Sequence, residues 1–357
     1  MGRKVINYIL TGLGIIIFAL SLTVYYQYRE LWIARNFSDV DAAFQTQIKS
    51  LGLFEVEKEV KRKGFPFPQI RAEVKVKVPL SFSLDDLLKG VKERFSPPEF
   101  EVIRLEEENG REFYKIHLDI GKNKTLTHRI TFWLKKAKIA LLIDDFGYTD
   151  NGKLIKIFFE EINVPFTISI IPGTPFVREV AEKAHRKGKQ ILVHLPMQPA
   201  GEFKNSYRWI ILKGMSKEKI RKTVKEAVES IPYAEGLNNH MGSLATTKKE
   251  IMEPLLQVLK EKKMFFVDSR TSPFSVGYSL ARKMGVKSTF NCVFLDNKKE
   301  ETYIEGQFKK LILEATEKGW AVGLAHSDIR TAFALKKIIE KCDRRKIEFV
   351  LCSEVLK

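Results

Sequence analysis

Cysteine is scarce in this chain: its 357 residues include three, Cys292, Cys342 and Cys352. None belongs to a Cys-x-x-Cys pair, which argues against a structural zinc knot, and the odd count argues against a disulfide framework. Buried free thiols are the expectation. A Gly-x-Ser-x-Gly elbow is also missing, and Ser243 and Ser327 follow histidines without a triad pattern, so a serine-nucleophile hydrolase is disfavoured. There is no internal repeat, no low-complexity tract and no long Lys/Arg run. The formal charge is nevertheless +17, with a pI near 9.5. Most of the excess lies after residue 137 and is dispersed. Without a recognisable nucleic-acid module, no nucleic-acid partner is expected, whereas an anionic polymer or a membrane surface suits the same charge. A hydrophobic content of 44% supports a real core, and the length suggests two folded domains plus an anchor.

The anchor is at the N-terminus. After Arg3 and Lys4, the stretch from Val5 to Tyr26 is mostly apolar and, at about 22 residues, long enough to span a bilayer. The two basic residues favour a cytoplasmic N-terminus, although Arg29 weakens the asymmetry. Tyr25, Tyr26, Tyr28 and Trp32 suit an interfacial aromatic belt. A cleaved signal peptide is the rival, but Phe18-Ala19-Leu20-Ser21 is followed by no convincing small-x-small site. The expectation is an uncleaved signal anchor over 1–29, with membrane attachment through this helix and residues 30–357 outside the cytoplasm.

Residues 30–136 read as a small α+β domain. A short helix is predicted over 38–52, ending near Gly52, and Pro66 and Pro68 break the next segment. Ile70 to Val78 alternates apolar and charged residues, the pattern of a half-buried strand. Ser83 to Phe95 reads as a helix with Ser83 as N-cap and Asp85 and Asp86 in the first turn. Strands are predicted at Phe100–Leu105 and Glu112–Asp119, separated by Glu-Glu-Asn-Gly, and at His128–Leu134. His117 and His128 read as ordinary strand residues. Nothing in this domain assigns it a chemistry.

From 137 to 357 short apolar runs alternate with amphipathic helices. Strands are predicted at 138–143, 165–171, 189–194, 234–238, 264–268, 289–294, 320–325 and 347–351. Helices fit Ser216–Ile231, Thr247–Lys262 and Glu301–Lys318 among others. Seven or eight such units imply a (β/α) barrel or an open doubly wound sheet, and the barrel is the choice made here. The irregular stretch 195–215 carries Phe203, Tyr207 and Trp209, which either stack on a sugar ring or pack the loop down.

Polar residues recur where these runs stop. Ile139 to Ile143 ends in Asp144-Asp145; two adjacent carboxylates repel each other unless a cation or a proton intervenes. His194 ends Gln190-Ile191-Leu192-Val193, His240 follows Gly236-Leu237-Asn238-Asn239, and His326 follows Gly323-Leu324-Ala325. Phe266-Val267 ends in Asp268-Ser269-Arg270, where Asp268 and Arg270 form either a structural ion pair or part of a site. In a barrel these ends converge on one face. Three histidines with an Asp pair suit zinc with an open coordination position, which equips a site to hydrolyse an amide or ester. His185, among Lys183, Arg186 and Lys187, reads as surface, and Cys292 as packing.

Together, Ile-Asp-Asp-Phe-Gly, His-Leu-Pro-Met-Gln-Pro, Asn-Asn-His-Met-Gly-Ser and Val-Asp-Ser-Arg-Thr resemble the divergent polysaccharide deacetylases, a branch of the NodB-like carbohydrate esterases. The resemblance covers about 138–355. It implies an α/β fold with a distorted (β/α) barrel, a divalent metal that is usually zinc, and an acetylated glycan as substrate. It also implies that Asp144 is the base, Asp145 and His194 are metal ligands, and His326 protonates the leaving group. One position departs: Gln198 stands where the wider superfamily has a second histidine four residues after the first. His240 is the hypothesised replacement ligand, and Asn239, Ser243, Asp268 and Arg270 are candidates for substrate-binding or supporting roles. The alternative function is a catalytically silent glycan-binding or envelope scaffold protein on the same fold; a hydrolase of a peptide amide or non-glycan ester is a third reading.

Overall fold

The computed structural model describes residues 2–64, 69–96 and 98–357. The chain divides into two compact units, 1–136 and 137–357.

The first unit begins with one long helix, α1 (Gly2–Ser50). The separate helix predicted over 38–52 is the continuation of the apolar N-terminal segment. Nothing between them breaks the backbone; only the buried face changes. Through the apolar stretch the side chains are exposed, Ile15, Phe18 and Leu20 among them. Further on, Val40, Phe44 and Ile48, spaced by four, are buried in the core of the small domain. Each such side chain contributes roughly 1.5–3 kcal/mol by leaving water. They share that core with residues of strand β2 (Gln69–Lys77), helix α2 (Leu84–Arg94), and strands β4 (Phe113–Lys122) and β5 (Thr125–Lys135), while β1 (Glu55–Lys63) and β3 (Glu101–Asn109) complete the sheet. The sheet order is β1-β2-β5-β4-β3. Ser83 caps α2 by accepting from the Asp86 amide. Sequence periodicity missed β1, because Glu55–Lys63 is charge-rich and pairs with β2 as an edge strand. The break expected at Pro66 and Pro68 lies outside the described residues. His128 is a fully buried strand residue stacked on Phe37, with Nε2 3.0 Å from Asp41.

The second unit is a parallel α/β half-barrel. Strand β6 (Ala137–Phe146) is followed by α3 (Gly152–Lys156), β7 (Thr167–Ile170), α4 (Val177–Arg186) and β8 (Gln190–Met197). Then come α5 (Lys217–Glu229), β9 (Ala234–Met241), α6 (Lys249–Glu261), β10 (Phe265–Asp268) and α7 (Gly277–Lys283). These are followed by β11 (Ser288–Phe290), β12 (Val293–Phe294), α8 (Glu301–Lys318), β13 (Trp320–His326), α9 (Ile329–Glu340), β14 (Ile347–Val350) and a short 3-10 helix at Cys352–Val355. The order is β11-β10-β9-β8-β7-β6-β13-β12, all parallel, with β14 pairing the start of β6. The run predicted as one strand, 289–294, is two short pieces. The first pairs with β10 and the second with β13, so seven residues link the two ends of the sheet. Strands buried on both faces explain the continuous apolar runs; all eight residues of β8 are buried.

Candidate metal centre

Successive strand residues point to opposite faces, yet Asp144 and Asp145 both approach one histidine. His194 Nε2 lies 3.5 Å from Asp144 Oδ2 and 3.2 Å from Asp145 Oδ1. The backbone makes this convergence. The β6–β7 register slips by one residue between Ile143 and Phe146, a bulge, and Asp145 takes a left-handed φ of 65°. Ser327 fixes the bulge: its amide donates to the Asp144 carbonyl and its hydroxyl to the Asp145 carbonyl, both at 2.8 Å. Gly147 follows at φ 110°, where an added Cβ would run into Thr174 Oγ1 at 2.2 Å.

The two remaining donors come from neighbouring strands. On β8 and β9, His194 pairs in register with Asn238, and His240 lies two residues further on the same face. His240 Nδ1 is 3.0 Å from Asp145 Oδ1 and 3.1 Å from His194 Nε2. Asp145, His194 and His240 thus form a group whose ligand atoms lie within 4.8 Å of one another and which could hold a metal ion. The electrostatics fit that occupant. Asp145 Oδ1 is buried without a hydrogen-bond partner although two imidazole nitrogens face it. A cation resolves such a convergence, and two imidazoles with a carboxylate suit zinc. Burial works against an ionised Asp145, but His194 and His240 outweigh it and hold the carboxyl well below its usual range. Burial keeps His240 below its ordinary value and therefore toward the neutral form. In His194 burial is overcome by Asp144 and Asp145, which raise it.

Asp144 is only 2% exposed, and burial pushes its carboxyl above the usual range. It accepts from Ser169 Oγ at 2.5 Å and from Asn238 Nδ2 at 3.0 and 3.1 Å. Asn238 also lies 2.9 Å from His194 Nδ1 through its own Oδ1. That contact places the His194 proton on Nδ1 and leaves Nε2 for the site. On the other side of β6, His326 is the register partner of Asp144. Its Nδ1 lies 2.8 Å from buried Asp296, which also accepts from the His326 amide, Thr331 Oγ1 and Lys299 Nζ. Burial opposes the charged His326 imidazole, but Asp296 overrides it and raises the pKa, while Asp296 itself falls to about 2.

Sequence reasoning did not single out Asn238, Ser169 or Asp296. Asn238 was hidden inside a motif read for its neighbours, although alternation puts it on the face of His240. Asp296 stands two residues beyond the end of the predicted strand 289–294, not directly at that end. The residues proposed for supporting roles tie neighbouring segments together. Asn239 Oδ1 accepts from the Ser269 amide and its Nδ2 donates to the Met241 carbonyl. Ser243 Oγ accepts from the Ala200 amide. The Asp268–Arg270 ion pair offered as the plain alternative does not form. Asp268 instead accepts from the Arg270 and Tyr278 amides and Ser275 Oγ, and the Arg270 guanidinium lies on the Phe290 ring. Of the thiols, Cys352 is buried while Cys292 and Cys342 are partly exposed. His185 is exposed, stacked on Tyr233. Gln198, at the departing position, turns its Oε1 to the Lys213 amide at 2.7 Å, away from any ligand role.

Known proteins resemble this chain over more than half of its length. An uncharacterised protein of Haemophilus influenzae is 36% identical over 207 residues, 58% of this chain and 72% of that one. The uncharacterised Escherichia coli protein YibQ is 34% identical over 208 residues, covering 57% of this chain and 62% of YibQ, less than two thirds of its length. A crystal structure of an uncharacterised Agrobacterium tumefaciens protein superposes with a TM-score of 0.58 at 21% identity, covering 62% of this chain and 89% of that one, a likeness of fold. The family model for divergent polysaccharide deacetylases matches residues 141–356, well over half of the 357 residues, and the chain belongs to that family.

Proposed function

We propose that residues 137–357 form a metal-dependent hydrolase that removes acetyl groups from a polysaccharide of the cell envelope. The observation that carries this is the orphaned, buried Asp145 Oδ1 facing two imidazole nitrogens, beside the buried carboxyl of Asp144. Asp145, His194 and His240 would hold the ion, with zinc favoured by the donor set. Once bound, such an ion polarises an acyl oxygen and makes water more acidic. Asp144 is the general base: burial raises its affinity for a proton, and Asn238 and Ser169 orient it. His326 is the general acid. Asp296 holds the Nδ1 proton and favours imidazolium, which leaves Nε2 to give its proton to the departing amine or alcohol.

The apolar, exposed half of α1 supports a signal anchor. Its most apolar 18-residue window has a mean hydropathy of 2.2 and is unburied. With Arg3 and Lys4 retained in the cytoplasm, both folded units would face the envelope, where acetylated glycans are found. The test is metal content and acetate release by the full chain, wild type beside Asp144→Ala, on acetylated chitooligosaccharides and peptidoglycan fragments. One zinc per chain with acetate released by wild type alone is the expected result. Metal without acetate from any glycan would favour a glycan-binding protein, and neither would overturn the enzyme reading.

A further inference from the structure

The loop over 198–216 meets the candidate metal centre through Tyr207, whose ring packs edge-on against His240. Tyr207 Oη lies 2.9 Å from His240 Nε2, the nitrogen that faces away from Asp145 and His194. If His240 offers Nδ1 to a metal, its proton resides on Nε2 and is donated to Tyr207. Tyr148, just after β6, lies near Tyr207. The loop is also fastened at its base. Gln198 Oε1 accepts from the Lys213 amide, the Gln198 amide donates to the Ile211 carbonyl, and the Ile211 amide donates to the Pro196 carbonyl. Further along, Trp209 Nε1 donates to Glu226, and Gly173, at φ 83°, lets the chain approach closely; a Cβ there would meet Arg208 Cβ at 3.2 Å.

We infer that this loop is part of the metal centre, with Tyr207 as the positioning residue that orients His240. The inference rests on the metal reading above and deepens it. It also gives the Gln198 departure a physical meaning. The side chain at that position does not ligate; it secures the loop whose Tyr207 secures the imidazole contributed by β9. The ligand that moved to another strand is held by a residue from the intervening loop. Partners of this kind typically change metal affinity by about 10- to 100-fold. Because the bond joins ligand and loop, metal binding and loop order are coupled through it in both directions.

The experiment uses the full chain and zinc alone. Zinc affinity is measured by competition with a chromophoric chelator, and loop order by the rate of tryptic cleavage after Lys204, Arg208 and Lys213. In wild type, zinc should slow cleavage within the loop. Tyr207→Phe keeps the ring and removes the hydroxyl; it should weaken zinc binding about 10- to 100-fold, and zinc should protect its loop less. Gln198→Ala, which touches no ligand, should loosen the loop and weaken zinc in the same direction. Wild-type zinc binding with Tyr207→Phe affinity unchanged within about twofold, well below the effect usual for such partners, would overturn the positioning role alone. Failure of wild type to bind zinc would overturn the metal reading and this inference with it.

Discussion

Asn238 is the residue on which most of the polar core of the site depends, and Asn238→Ala tests that dependence. The side chain is fully buried. Its amide nitrogen serves both Asp144 oxygens and Ser269 Oγ, and its oxygen faces His194 Nδ1. Truncation therefore removes one bond to a carboxylate, about 1.5–3 kcal/mol, and leaves a buried imidazole N–H unpaired, about 1–3 kcal/mol. A loss of roughly 3 kcal/mol corresponds to a Tm lower by about 6–12 °C in a domain of this size. The effect on metal should be separate and larger in relative terms. Without the Asn238 oxygen, His194 loses its tautomer preference, and zinc affinity should fall about 10- to 100-fold. Calorimetric unfolding of the metal-free full chain gives the first quantity and chelator competition the second. Asn238→Asp is the sharper control. It retains an acceptor for His194 and should recover part of the zinc affinity, but it sets a third carboxylate beside Asp144. A truncated variant with Tm within about 2 °C of wild type, equivalent to less than about 1 kcal/mol, and undiminished zinc affinity would refute this account of the site.

His240→Ala should abolish stoichiometric zinc binding, since the substitution leaves two donors, fewer than zinc sites use; full affinity in the variant would remove His240 from the ligand set. The Asp296–His326 pair sets a pH window. Asp296 is lowered from 3.8 to about 2, so its contribution, about 2 kcal/mol, is complete above pH 3.8 and disappears as pH falls toward 2. His326 is raised above 6.5, so its contribution is complete below that value and is lost as pH rises through the folded-state pKa. Urea unfolding of wild type against Asp296→Asn across pH 3–9 should show the advantage of wild type shrinking at both ends; a constant difference would refute the pairing.

The barrel was legible because its strands are buried on both faces and therefore appear as uninterrupted apolar runs ending in a polar residue. Asp144, Asp145, His194, His240 and His326 all stand at such ends, in β6, β8, β9 and β13. The charge-rich edge strand β1 lacks that signature, and Asp296 was missed because it stands two residues beyond the predicted strand end at Phe294 and not directly at it. The continuity of α1 was obscured for a different reason. Its first half has no buried face and its second half buries Val40, Phe44 and Ile48, so two patterns were read as two elements. Asn238 shows what periodicity alone leaves out: strand alternation places it inward, but only the neighbouring Asp144 and His194 give that placement a chemical use.

The convergence of the two carboxylates depends on backbone strain at Asp145, and that strain can be measured apart from the carboxylate. Three strand ends around the site carry non-glycine residues in the left-handed region: Asp145 at φ 65°, Met241 at 53° and Arg270 at 50°. Such conformations cost of order 1 kcal/mol for most residues and little for glycine. Asp145→Ala and Asp145→Gly both remove the oxygen that faces the two imidazoles and both free His194 and His240 of the same partner. Their difference therefore isolates the backbone. Glycine relieves the left-handed position but adds freedom to the unfolded chain, worth about 0.4–1 kcal/mol in the opposite direction. If the native φ is enforced by the Ser327 bonds to the bulge carbonyls, alanine must adopt it too, and the glycine variant should be the more stable or equal in spite of its looser unfolded state. If instead the turn relaxes once the carboxylate is gone, alanine should be the more stable by that same margin. Equilibrium unfolding of the two metal-free variants decides between them. An alanine variant clearly more stable than the glycine variant would mean that the carboxylate creates the bend, and that the fold does not hold the two aspartates together on its own.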